Sequence, residues 1–183
     1  MGSRKPGRLP PSRSRVLPFR AVNRRGSADH DAGLQRHHLL PRQLLRLDVF
    51  DRMIRSLGRK SIGFEDFRRN GLLLPSRERA AVRMQLPLHR GPHPEYNEMV
   101  IDRVAEIERG WQQRQVADVE AAGEEALRLL GRLQQTLRAR MLNPRQNYLR
   151  LHANDPLAQD YDFSELDEMA ERLWRSTQFL QDR

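Results

Sequence analysis

Residues 35–41 read Gln35-Arg36-His37-His38-Leu39-Leu40-Pro41 (QRHHLLP), two adjacent histidines ahead of an apolar pair and a proline, in a chain with only six histidines. Neighbouring side chains on a strand point to opposite faces, and in a loop they diverge as well. Two different tasks therefore suit this pair better than one shared task. Two further histidines stand in LHRGPHPEYN, residues 88–97, as His89 and His93. Gly91, Pro92 and Pro94 forbid a continuous helix there, so His89 ends an extended piece and His93 sits at a helix entry. A turn can still converge both rings on one point, and neutral imidazole is a common nitrogen ligand for zinc and related ions. Taken singly, each of these residues, like His30 and His152, is more at home in a surface or hydrogen-bonding role.

Between the two blocks, RQLLRLDVFDRMIRSLG (residues 42–58) places Leu44, Leu47, Phe50, Met53, Ile54 and Leu57 at offsets of three and four. This spacing predicts a helix with one apolar face, stopped by Gly58. Asn70-Gly71 is a tight-turn signal, and the run Leu72-Leu73-Leu74 closed by Pro75 reads as a brief buried strand. ERAAVRM (residues 78–84) reads as a helical turn and QLPLH (residues 85–89) as a second extended piece. A long helix is expected from Pro94, a favoured first-turn residue. Its face runs from Tyr96, Met99, Val100, Val104, Ile107 and Trp111 through Ala126, Leu129, Leu130, Leu133 and Leu137 to an end near Asn143-Pro144. Residues 143–162 read as a loop. A final helix is expected from Ser164, capped with Asp167, its face Leu166, Met169, Leu173, Trp174 and Leu180.

The composition, 38% hydrophobic and 31% charged, allows only a modest core. Cysteine is absent, which excludes a disulfide framework and a thiolate metal site. The net charge of +9 is unevenly laid out: residues 1–25 hold eight basic residues and no acid, residues 34–93 thirteen basic against five acidic, and residues 94–183 twelve basic against seventeen acidic. A positive first half attracts phosphates, nucleic acid above all, or an anionic membrane surface. The start, rich in Arg, Pro, Gly and Ser, reads as a disordered basic arm. It has the arginines of a transit peptide, but Pro10, Pro11 and Pro18 break the amphipathic helix such a peptide needs. No apolar run approaches the roughly 20 residues that span a bilayer, and the N-terminus lacks the apolar stretch of a secretory signal. A soluble protein without membrane insertion is expected.

HHLLP, NGLLLP and LHRGPHPEYN, in this order and followed by an apolar-periodic helix, resemble the AHH group of HNH-type (His-Me finger) nucleases, common among bacterial toxin domains. The likeness covers residues 34–108. It departs from the family at one position, where the small residue that usually precedes the double histidine is Arg36. The resemblance implies an α+β, mostly helical fold: a small ββα-metal, HNH-like core over residues 34–111, a helical C-terminal extension over 112–183 and the basic arm over 1–33. It implies one divalent metal ion, zinc or magnesium/manganese, held by His37, His89 and His93. His38 would be the general base on the attacking water, and Asn70 the central asparagine whose side chain holds that base or its loop. An unperturbed imidazole pKa near 6.5 suits such a base.

The implied activity is metal-dependent, non-specific endonucleolytic hydrolysis of phosphodiester bonds, with DNA the expected substrate ahead of RNA. Arg36, Arg42, Arg68, Arg69, Arg77, Arg79 and Arg90 are candidates to grip the phosphate backbone, a contact that carries no sequence information. Each of them is also at home as a solvated arginine. The family further implies a toxin or effector acting in the bacterial cytoplasm or delivered into a target cell, with a cognate inhibitor (immunity) protein as partner. The competing reading is a non-enzymatic, basic nucleic-acid-binding protein whose histidines hold a structural ion or none.

Overall fold

The computed structural model describes residues 16–143 and 149–158. The expected helix from Ser164 and residues 1–15 of the expected arm lie outside them, as does much of the expected loop over 143–162.

Two short strands, β1 (Leu34–His38) and β2 (Gly71–Pro75), pair antiparallel, with His37 opposite Leu72 and His38 opposite Gly71. The strand read from Leu72-Leu73-Leu74 is thus β2, and the double histidine ends its partner. Gly71 is needed for close approach: a Cβ there would collide with the Phe67 ring. The helix predicted from residue 42 begins later. Residues Arg42–Arg46 form a 3-10 turn that buries Leu44, and Leu47 is extended. Helix α1 (Asp48–Leu57) follows, with Asp48 and Asp51 in its first turn where the helix dipole favours acids, and Gly58 at φ +80° ends it. Short helices α2 (Arg59–Ile62) and α3 (Phe67–Asn70) lead into β2, and α4 (Glu78–Met84) follows it. QLPLH forms no strand; it is irregular chain, tied to the sheet by the His89 N–H donating to the Pro75 carbonyl at 2.7 Å.

The single helix expected from Pro94 to Asn143 is two. Helix α5 (Pro94–Gln115) and α6 (Val119–Leu142) pack together as a hairpin. The apolar stripe runs on through the break, which is why periodicity misses it. The break itself is local: the Asp118 carboxylate accepts from the Ala121 N–H at 2.9 Å and caps a new helix. An unbroken helix of this span would be about 75 Å long and could not bury its own face. Folded back, α6 contributes Ala122, Ala126, Leu130, Leu137 and Met141 to the same apolar cluster as Phe50 and Met53 of α1, Leu72 and Leu74 of β2, and Val100, Val104 and Trp111 of α5.

Residues 16–33, expected as part of a disordered arm, are built into the fold. Phe67 N–H donates to the Leu17 carbonyl at 2.7 Å, and Pro18 bridges Asp66. The Asn23 side chain closes the following loop, donating to the Asp31 and Leu34 carbonyls at 2.8 and 2.9 Å and accepting from the Asp31 N–H at 2.8 Å. One ring, Phe19, and a few polar clamps suffice where composition alone gave too little apolar surface. Among the described residues, no helix is long and apolar enough to cross a membrane.

Candidate metal centre

Strand alternation separates the two histidines of β1. His37 turns inward and is 3% exposed, while the His38 ring stacks flat on Phe19, with centroids 3.8 Å apart. His89 reaches the same place as His37 because its backbone is tied to Pro75 at the end of β2, and His93 because it immediately precedes α5. Ring centroids of His37 stand 5.0 Å from His89 and 5.7 Å from His93, and those two are 4.4 Å apart. One nitrogen from each of the three lies within 4.8 Å of the others.

Two backbone or side-chain acceptors set the tautomers. The Nδ1 of His93 lies 2.7 Å from the Leu151 carbonyl and that of His89 lies 3.1 Å from Gln35 Oε1. A carbonyl-type oxygen can only accept, so each Nδ1 carries the proton and each Nε2 keeps its lone pair. His37 supplies the third: its Nε2 is buried without a hydrogen-bond partner. An orphaned buried nitrogen beside two outward lone pairs fits a cation. Bonds of about 2.0–2.1 Å to a tetrahedral zinc ion put two nitrogens about 3.3–3.4 Å apart, so the set closes by up to about 1.5 Å to hold the ion.

The rings are also neutral, as ligands must be. Burial, then the neighbouring His89 and His93, holds the His37 pKa well below 6.5. Burial, then His93, brings His89 down to about 4, and burial lowers His93 against the raising effect of its Leu151 hydrogen bond. His38 is down to about 4 as well, through burial and the Arg42 charge, with Glu65 acting the other way. It is therefore unprotonated around neutrality.

Asn70 is fully buried and faces away from solvent. Its Oδ1 accepts from the Leu40 N–H at 2.7 Å, and its Nδ2 donates to the Leu40 and Phe64 carbonyls, both at 3.2 Å. It therefore fastens the loop that follows His38 and touches no open surface. Tyr96 packs edge-on to His37 at 5.0 Å and donates its hydroxyl to the Leu39 carbonyl at 2.7 Å, so the same loop is held from a second side.

A family model described as AHH, a nuclease family of the HNH/ENDO VII superfamily with conserved AHH, matches residues 19–137. The chain belongs to this family. No curated protein and no solved structure matches it. The family makes the chain a nuclease with nucleic acid as its substrate, and the helical fold with a two-stranded sheet agrees with an AHH core. Nucleases of this superfamily use a divalent metal, and the histidine triad is where these residues could hold one.

Around this AHH centre the arginines disperse. Arg90 lines the cleft beside His93, and Arg42 stands close enough to His38 to depress its pKa. Arg77 and Arg79 line a separate cleft with Asp31 and Arg83. Arg36 donates to the Phe19 carbonyl at 2.9 Å and Arg69 to the Ser61 carbonyl at 2.7 Å; both are exposed, as is Arg68.

Several supporting residues escaped the sequence reading. Gln134 of α6 donates to Asn70 Oδ1 at 3.2 Å, and Arg138 Nη2 donates to the Arg68 and Gly71 carbonyls at 2.8 and 2.7 Å. The buried Asp155 accepts from the Leu88 N–H at 2.8 Å. All act across more than sixty residues of sequence, where no periodicity signals them.

Proposed function

We propose that the chain is a metal-dependent endonuclease that hydrolyses phosphodiester bonds without sequence preference, DNA first, with the ion held by His37, His89 and His93. The observation that carries this reading is the unpartnered, buried His37 Nε2 beside two rings whose Nδ1 protons are already committed. Three imidazoles with no carboxylate favour zinc or another transition ion over magnesium, which prefers oxygen. Bound there, the ion would polarise a phosphate oxygen and stabilise the leaving oxygen.

The chain's own part is to place the base and the substrate. His38, on the other face of the strand from His37, takes the proton of a water whose oxygen attacks phosphorus as the bond to the leaving oxygen breaks. Its ring cannot swing freely, because Phe19 lies flat against it and Asn70 and Tyr96 fix the following loop. An approaching phosphate anion raises the pKa of His38 from its low resting value towards the working range. Arg42 and Arg90 stand near enough to the two ends of the site to draw phosphates in.

The test is nicking of plasmid DNA, with RNA in parallel, across a metal series and in EDTA. His38→Ala is expected to lose about 10²–10⁴-fold in rate while still binding metal. Cleavage that ignores the chelator, or full activity in the variant, refutes the mechanism. A gel shift with no product under any ion favours the non-enzymatic binder, which the basic first half alone would support. The toxin setting, with an inhibitor docking on the acidic second half, is tested by co-purification of a partner that requires residues 112–183.

A further inference from the structure

After α6, residues 149–158 return to the ligand loop, beyond the stretch that matches the family. Their return is firmly built. Leu151 is 4% and Asp155 0% exposed, Asp155 holds the Leu88 N–H, and the Leu151 carbonyl holds His93. The two segments enclose a cleft of about 510 Å³ lined by Arg90, Pro92, His93, Arg150, His152 and Ala153. This is within the range of small-ligand sites, and its wall includes a residue of the metal triad.

We propose that this cleft is the subsite for the nucleotide adjoining the cut, its phosphate held by His152 and Arg90; the assignment rests on the cleavage centre proposed above. The polar chemistry points to an anion. His152 Nδ1 accepts the Asn154 N–H at 3.1 Å, so the ring proton sits on Nε2, and that N–H is a donor of fixed orientation on the cleft wall. Arg150 folds its guanidinium onto the His152 and Ala153 carbonyls, at 3.3 and 2.6 Å, and so stiffens the turn that presents His152 while adding positive charge. Arg90 supplies a second cation to the lining, against one acid, Glu95. The remaining lining is apolar, with Pro92 and Pro94 offering flat ring surfaces to a sugar or base. Because His93 belongs to both the cleft and the triad, a strand whose phosphate lies at the triad must pass its next nucleotide into or beside this cleft.

The experiment is fluorescence anisotropy with a 5′-labelled single-stranded hexadeoxynucleotide in EDTA, so that no metal contributes. His152→Ala and Arg90→Ala are each expected to weaken binding about tenfold. His152→Gln, which keeps an N–H donor, restores most of the loss. Arg109→Ala removes the same charge as Arg90→Ala but lies about 22 Å along α5 from its start, and leaves affinity unchanged; circular dichroism confirms that each variant is folded. An equal loss in Arg109→Ala, or none in His152→Ala, overturns the subsite. Metal-dependent cleavage is followed in parallel with the unaltered chain. If it fails with every ion while the anisotropy pattern holds, the cleavage mechanism falls and takes the adjoining-nucleotide assignment with it, leaving only a phosphate-binding cleft; if cleavage proceeds and all variants bind alike, the subsite falls alone.

Discussion

Replacing Asn70 with alanine removes a side chain that makes four hydrogen bonds, to the Leu40 N–H, the Leu40 and Phe64 carbonyls and the Gln134 amide, all in the interior. Leu40 is 0% and Phe64 2% exposed, so no water replaces the lost partner. An orphaned buried donor such as the Leu40 N–H costs about 1–3 kcal/mol, and the carbonyls add to it. The expected loss is about 3–5 kcal/mol, a large share of the roughly 5–15 kcal/mol that holds a domain of this kind together. At about 2–4 °C per kcal/mol for a chain of this length, the midpoint should fall by about 6–20 °C. Asn70→Asp keeps the acceptor for Leu40 but sets a carboxylate against two carbonyls, and should be no better.

The assay is urea and thermal unfolding followed by far-ultraviolet circular dichroism, with Gln134→Ala and the double variant completing a cycle. Residues in one buried network couple by about 0.5–3 kcal/mol, so the double variant should lose less than the sum of the singles. A loss below about 1 kcal/mol for Asn70→Ala, or strict additivity with Gln134→Ala, would refute the loop clamp.

Gln35→Ala frees the Nδ1 proton of His89 and is expected to weaken metal binding about 10-fold, read by calorimetric titration with zinc. Asp155→Ala releases the Leu88 N–H and the segment that holds His93, and should lower metal affinity by about 10–100-fold; unchanged affinity would mean the segment does not position the ligand loop. Arg138→Ala strips a donor from the carbonyls around β2 and should cost about 1.5–3 kcal/mol in urea unfolding, and Arg138→Lys should restore little of it because an ammonium lacks the planar fork. Metal-free protein should lose stability as pH falls. The folded-state pKa values of His38 and His89 are depressed to about 4 against 6.5 when unfolded, so their contribution is intact above about 6.5 and drains away down to about 4. Allowing for their partial exposure, each should take about 1 kcal/mol by pH 5; a midpoint that is flat from pH 7 to pH 5 would contradict the neutral, buried rings.

The parts of the site that sequence made legible are those whose signal is local. The leucine run closed by Pro75 and Pro94 opening an apolar-periodic helix each state their own conformation within a few residues; the double histidine fits strand or loop on sequence alone, and Asn70-Gly71, a tight-turn signal, instead ends α3 and enters β2 extended. The parts that stayed hidden are of two kinds. Gln134, Arg138, Leu151 and Asp155 act through contacts 58 to 71 residues away, fixed only once α6 has folded back. Phe19 and the Asn23 clamp lie in a stretch whose average composition argued for disorder, although order there needs few groups. The break at Asp118 was local and could have been found, since an aspartate before a helical run is an N-cap signal that competes with an uninterrupted stripe.

The paired histidines owe their separate tasks to the strand that carries them. One step along β1 reverses the side chain, so His37 meets His89, His93 and Tyr96 in the interior while His38 meets Phe19 outside. In the mechanism proposed above a ligand needs its lone pair directed at the cation and a base needs a nitrogen turned towards water, and strand alternation gives the two rings those different surroundings. A one-residue slip of β1 against β2 would turn His38 inward and His37 outward and so undo the triad. That is why the register is so heavily defended: Asn70 fixes Leu40, Tyr96 fixes Leu39, and Gln134 and Arg138 fasten Asn70 and the start of β2 to α6. The helical hairpin thus holds the site together from behind, by keeping two neighbouring imidazoles on the correct sides of one strand.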